Sequence, residues 1–142
     1  MRANSYLYWG NLGDAHRWNG PTKHEAAEAY RTAIQLAQDA LGATADPEDL
    51  RSTIALYRVK NGDFGGALRD ITVVDTAAKP SPVMLFRATV VYELAGKREA
   101  ALATLERTLR AGYSPREIRT EPELVSLRED SRFPALISRV SQ

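Results

Sequence analysis

The chain contains no cysteine. Disulfides, thiolate zinc sites and cysteine nucleophiles are excluded together, although cytosolic and exported chains can both lack the residue. An excess of charge of either sign is missing too. Its 19 basic residues face 18 acidic ones, so no long-range field draws the chain to nucleic acid or to an anionic membrane. No apolar run approaches the ~18 residues that span a bilayer. The opening MRANSYLYWGNLG has neither the uninterrupted apolar segment nor the small-residue cleavage site of a signal peptide. A soluble, cytoplasmic chain is expected, either one domain of 142 residues or a short array of repeats. The abrupt start reads as a piece cut from a longer protein, with Met1 supplied at the cut. A native stop just upstream of Met1 is the observation that overturns this.

Motifs for catalysis are also missing. GNLG (10–13) invites comparison with phosphate loops, but GxxxxGK[ST] and GxGxxG are both absent around it. The GxxG clamp of KH domains joins two helices in a mixed α/β fold, whereas the flanks here read as one helix. Gly13 is therefore expected to serve helix packing, where close approach of a partner helix offsets the ~1 kcal/mol that glycine costs relative to alanine. His16 and His24 lie eight apart across a turn, not at the three- or four-residue spacing of a helical metal pair. No GxSxG elbow is present. Glu25, Glu28, Asp70 and Glu99 are scattered at helix starts and on polar faces, where acids suit the helix dipole. The charges from Arg116 to Arg139 alternate in sign, as on a solvated surface. No catalytic residue, metal site or cofactor is expected.

What is present is alanine, 21 residues of it, the best helix former and one that lets helices approach closely. Turn signals stand at NGPT (19–22), DP (46–47), NGD (61–63), KPSP (79–82), AGK (95–97) and AGYSP (111–115). The stretches between them, roughly 12 to 22 residues, have the size of helices rather than strands. Ala26, Tyr30, Ala33, Ala37 and Leu41 trace one helical face, and Leu102, Leu105 and Leu109 another. Ile71-Thr72-Val73-Val74 leans toward strand by propensity, but a repeat argues otherwise. NGDFGGAL (61–68) aligns with AGKREAAL (95–102) at an offset of 34 residues. An earlier copy with a longer turn and a longer second helix begins near Gly20. In this register Ala26, Ala67 and Ala101 are equivalent. So are Tyr30, Ile71 and Leu105, and so are Ala33, Val74 and Thr108. Ile71 falls where an inward apolar residue recurs, so a helix is expected there.

A helix–turn–helix unit of 34 residues resembles the tetratricopeptide repeat (TPR) family. Trp9, Leu12, Gly13, His16, Ala26, Tyr30 and Ala33 match its pattern in unit one, with histidine at a usual tyrosine. Unit two has Ile54, Ala55, Gly62, Ala67, Ile71 and Val74, but Arg51 and Arg58 replace the tryptophan and tyrosine. Unit three has Leu85, Ala88, Thr89, Tyr92, Gly96, Ala101, Leu105 and Thr108. The resemblance covers about residues 5 to 112. It implies an all-α, right-handed solenoid of three helical hairpins, at 5–45, 46–79 and 80–112. The tail, AGYSPREIRTEPELVSLREDSRFPALI, is similar to a closing segment that follows such repeats in larger bacterial regulatory proteins, some with a kinase or DNA-binding domain upstream. It implies a helical cap over 113–142, with Leu124, Leu127, Phe133, Leu136 and Ile137 sealing the stack, because an uncapped solenoid leaves an apolar end exposed.

In this family the first helix of each unit lines a concave groove that binds a peptide or protein segment. Carried over, the groove residues are Asn11, Asp14, Arg17 and Trp18, then Ser52, Thr53, Leu56 and Lys60, then Phe86, Arg87, Val90 and Glu93. Trp18 and Phe86 stand out, since aromatics anchor interfaces. The family's clamp for chaperone C-terminal carboxylates is not expected: its places hold Gly10, Asp14, Thr53, Val83 and Arg87, and only Arg87 fits. The implied function is a noncatalytic scaffold with a protein or peptide partner, and with no nucleic-acid or membrane partner. The alternatives are homo-oligomerisation through an exposed end at Tyr6, Tyr8 and Trp9, and a role as regulatory accessory domain of a larger enzyme.

Overall fold

The structure, a computed structural model, describes residues 5–140. Met1 and the last two residues of the expected cap lie outside them. The described residues form helices and turns, with no strand among them. The helices are α1 (Tyr6–Trp18), α2 (Ala26–Ala40), α3 (Pro47–Lys60), α4 (Phe64–Ile71), α5 (Val73–Thr76), α6 (Pro82–Leu94), α7 (Arg98–Arg110), α8 (Pro115–Thr120), α9 (Val125–Arg128) and α10 (Phe133–Val140). Two 3-10 turns, Gly20–Glu25 and Pro122–Leu124, interrupt them. Sequential helices pack in pairs, α1 on α2, α3 on α4 and α6 on α7. The helix α3 also touches α2 and α6 and so joins the pairs, while α10 lies on α7.

One local device starts three of these helices. Asp46, Ser81 and Ser114 are N-caps whose side chains accept from the backbone N–H three residues on, and each is followed by proline in the first turn. Proline has no N–H to leave unsatisfied there, and its φ is already helical. A second device ends α3, α6 and α7. Gly62, Gly96 and Gly112 take positive φ (85°, 79° and 101°). The next residue's N–H then reaches back to the last turn: Asp63 to Arg58 O, Lys97 to Tyr92 O and Tyr113 to Thr108 O, at 2.9, 2.8 and 3.2 Å. Such a left-handed residue satisfies helix-end carbonyls, and glycine adopts it without strain. α8 opens with the same kind of cap and proline as α3 and α6. It stops after six residues. Pro122 forces the residue before it out of the helical region, and Glu121 is indeed extended (φ −69°, ψ 117°).

The positions aligned in the sequence are buried. Ala67, Ile71, Val74, Ala101, Leu105 and Thr108 are all at most 2% exposed, as are Tyr30 and Ala33. The β-branched run is helical, with a break: α4 ends at Ile71 and α5 resumes at Val73. The Thr72 hydroxyl donates to Arg69 O at 2.7 Å, the local competition with the backbone by which threonine bends helices. Leu124, Leu127, Phe133, Leu136 and Ile137 are buried together with Val90, Leu102, Leu105, Leu109 and Ile118, so the tail does cover α6 and α7.

The GNLG stretch lies inside the unbroken helix α1. Its glycines are notches for two rings. A Cβ on Gly10 would lie 2.4 Å from the Tyr57 ring, and one on Gly13 would lie 2.6 Å from Tyr30. The two rings stack on each other, with centroids 6.3 Å apart. α1 thus rests on α2 and α3 through paired tyrosines. Replacing Gly13 by alanine adds helix propensity but drives a methyl into a ring that is 1% exposed. A net loss of about 1–2 kcal/mol is expected in urea unfolding. Gly20→Ala, with nothing within 4 Å, is the control and stays within about 0.5 kcal/mol.

Candidate functional site

The residues assigned to the groove come from α1, α3 and α6, and the structure shows what each of them meets. Arg17, near the end of α1, is held at three points. Its Nη1 donates to Lys60 O at 2.9 Å, and its Nε and Nη2 donate to the two Glu123 carboxylate oxygens at 3.0 and 3.1 Å. This forked pairing matches guanidinium to carboxylate geometry. It joins the first helix to the tail, 106 residues along the chain. The Glu123 side chain is only 3% exposed, while Arg17 keeps 27%. Lys60 turns its ammonium to Asp14 at 2.9 Å, and Tyr30 donates to the same Asp14 oxygen at 2.6 Å.

The tail from Tyr113 to Arg128 lies against this face. Phe86 stacks on Tyr113, with centroids 4.7 Å apart and planes 8° from parallel. Val90 is buried among Ile118, Leu124 and Leu127, and Leu56 packs against the same cluster. Arg128 pins the segment from within by donating to the carbonyls of Ile118 (2.8 Å) and Glu121 (2.6 Å). Glu93 accepts from Arg98, whose other nitrogen reaches Asp130. Burial pushes the Glu121 carboxyl above its usual range, against the opposing pull of Lys60.

The remaining positions divide into two groups. Arg87 donates to Asp49 Oδ1 at 2.8 Å, to Asp49 O and to Ser52 Oγ, tying α6 to the start of α3. Ser52 and Thr53 are buried, with their hydroxyls turned back on Asp49 O. Asn11 and Trp18 are exposed, Trp18 at 59%. The Arg17 guanidinium carbon lies 5.7 Å from the Trp18 ring centroid. Of the assigned residues, then, Asn11 and Trp18 stay exposed, and the others are engaged by the chain itself. Sequence reasoning did not find Glu123. Its only sequence signal is Pro122, which turns the chain away from α8.

The two histidines face one carboxylate. His16 Nε2 is 3.4 Å and His24 Nε2 3.9 Å from Glu25. Among the described residues no group of three or more histidines and acids could hold a metal ion. No helix is long and apolar enough to cross a membrane, also among the described residues. What this face of α1, α3 and α6 does chemically is hold the Glu123 turn by charge and by an apolar floor. No family model matches the chain, and neither does any curated protein or solved structure.

Two outcomes are expected. Arg17→Ala leaves a buried carboxylate unpaired and destabilises by about 2–4 kcal/mol in urea unfolding, somewhat less than for a wholly buried pair because Arg17 is partly solvated. A double-mutant cycle with Glu123→Ala recovers part of that loss. The second outcome concerns pH. Burial pushes the Tyr57 phenol to about 12, the Asp14 charge adding to it, and Tyr30 and Tyr113 are raised as well. These groups hold their protons in the folded state at a pH where the unfolded chain releases them. Stability is full below pH ~10 and falls as pH rises toward 12. Urea midpoints between pH 8 and 11 measure this, and the decline is shallower for Tyr57→Phe.

Proposed function

We propose that this chain is a noncatalytic protein-interaction scaffold, a right-handed solenoid of three TPR-like hairpins with a helical cap, whose partner docks at the open rim of its concave side. Recurrence of one buried register in three helix pairs supports the array. Trp18 carries the docking reading. It is a large aromatic left open to solvent, and Arg17, beneath it, is immobilised by Lys60 and Glu123. A tryptophan beside a fixed arginine loses little conformational freedom when a partner arrives. These are also the residue types that dominate interface energetics. Asn11 on the same helix adds an exposed amide for hydrogen bonding. The partner is a protein or peptide segment, and no cofactor takes part.

Self-association is a second reading, favoured by Leu7 and Tyr8, which are 55% and 41% exposed on α1. It predicts a rise in mass with concentration in light scattering that Tyr8→Ala reduces. For the rim, Trp18→Ala is expected to weaken capture of the partner by about 1–3 kcal/mol while the helical circular dichroism stays intact. Quantitative affinity capture with wild type and Trp18→Ala side by side is the measurement. Equal recovery of the same proteins by both overturns the rim assignment.

A further inference from the structure

The tail reads as more than a lid on an apolar end. Such a lid needs apolar residues, whereas Glu123 places a carboxylate, its side chain 3% exposed, onto Arg17 at the other end of the chain. Leu124, the next residue, is fully buried beside Val90. A bidentate arginine for the acid and an apolar floor for the leucine are the two halves of a peptide-recognition site. We infer that residues 113–128 are a self-ligand, holding closed a site for acidic segments in which glutamate directly precedes leucine, and that a partner segment of this chemistry takes their place.

The segment has little regular structure of its own. α8 has six residues and α9 four, with a three-residue 3-10 turn between them. Pieces so short have no helical stability of their own in water. Within 113–128 only Ile118, Glu123, Leu124 and Leu127 are buried. Gly112, at positive φ, stands exposed at the hinge. Ile118, Leu124 and Leu127 are fully buried, so a segment that takes their place must refill the same apolar floor. On the concave face, Arg17 is the guanidinium that Glu123 engages, so release of the tail frees its fork for an incoming carboxylate.

The site adjoins the Trp18 rim at Arg17, and its test uses the full chain. The probe is the octapeptide TEPELVSL, residues 120–127, labelled at its N-terminus. It is expected to bind at least tenfold more tightly to the Glu123→Ala/Leu124→Ala chain, whose own turn is weakened, than to wild type. Adding Arg17→Ala reverses the gain, and a peptide with lysine in place of the second glutamate binds at least tenfold more weakly. Wild type supplies a second measurement that needs no variant to fold: excess TEPELVSL speeds tryptic cleavage after Arg119 and Arg128, and a scrambled peptide does not. The inference is overturned if the loosened, still helical chain does not bind the peptide, or binds the scrambled one equally. Should that variant not be helical, unchanged tryptic rates in wild type overturn it. This site is read with TEPELVSL and its scrambled control, and the rim by capture of its partner, so failure of one is told apart from failure of the other.

Discussion

The Arg17 guanidinium is where the three parts of the molecule meet. It stands on the first helix pair, takes a carbonyl from the end of α3 and closes on a carboxylate of the tail. Lys60, whose carbonyl it uses, sends its own side chain back to Asp14 on α1. Each bond is ordinary. Their weight comes from burial, because a guanidinium or carboxylate withdrawn from water must find a partner or lose several kcal/mol. Each member of the set therefore fixes the position of the next. The tyrosine pair under α1 belongs to the same construction, since Asp14 is the acceptor both for Lys60 and for Tyr30, which fills the Gly13 notch.

The helices were legible in the sequence because their signals are local. Asp46-Pro47 and Ser81-Pro82 start helices by chemistry contained within four residues, and Gly62 and Gly96 end them the same way. The buried register was legible because periodicity repeats: Ile71 could be assigned to a helix from its equivalence with Tyr30 and Leu105 against its own propensity. The break at Thr72 was not legible, since it depends on a hydroxyl turning back on the chain. Gly13 was expected to serve close packing of a partner helix, and Tyr30 fills its notch; that Gly10 receives Tyr57 from a different helix was not foreseen.

The candidate site was legible only in part. Family resemblance points to one face of α1, α3 and α6, and the tail rests against Arg17, Leu56 and Val90 from those helices. What covers that face is set by a contact between residues 106 apart. Opposite charges at such separation carry no pattern, and the chain has 37 charged residues from which to pair them. Pro122 is the nearest thing to a clue. It stops α8, and a helix of ordinary length there would have carried Glu123 elsewhere. A tail that opens with the cap and proline of α3 and α6 and is diverted by one proline covers most of that face and leaves Trp18 exposed.

A row of helices joined only through neighbours flexes like a spring, each junction adding a small rotation to the next. The forked contact between Arg17 and Glu123 changes the mechanics, because it connects the first helix directly to the tail, as a tie rod connects the feet of an arch. Small rotations at the α2–α3 and α3–α6 junctions can then no longer add freely, since their sum must leave the tie unstretched. The relative placement of α1, α3 and the tail becomes a fixed quantity rather than an average over many small rotations. Any influence that loosens the tie acts on all the junctions at once.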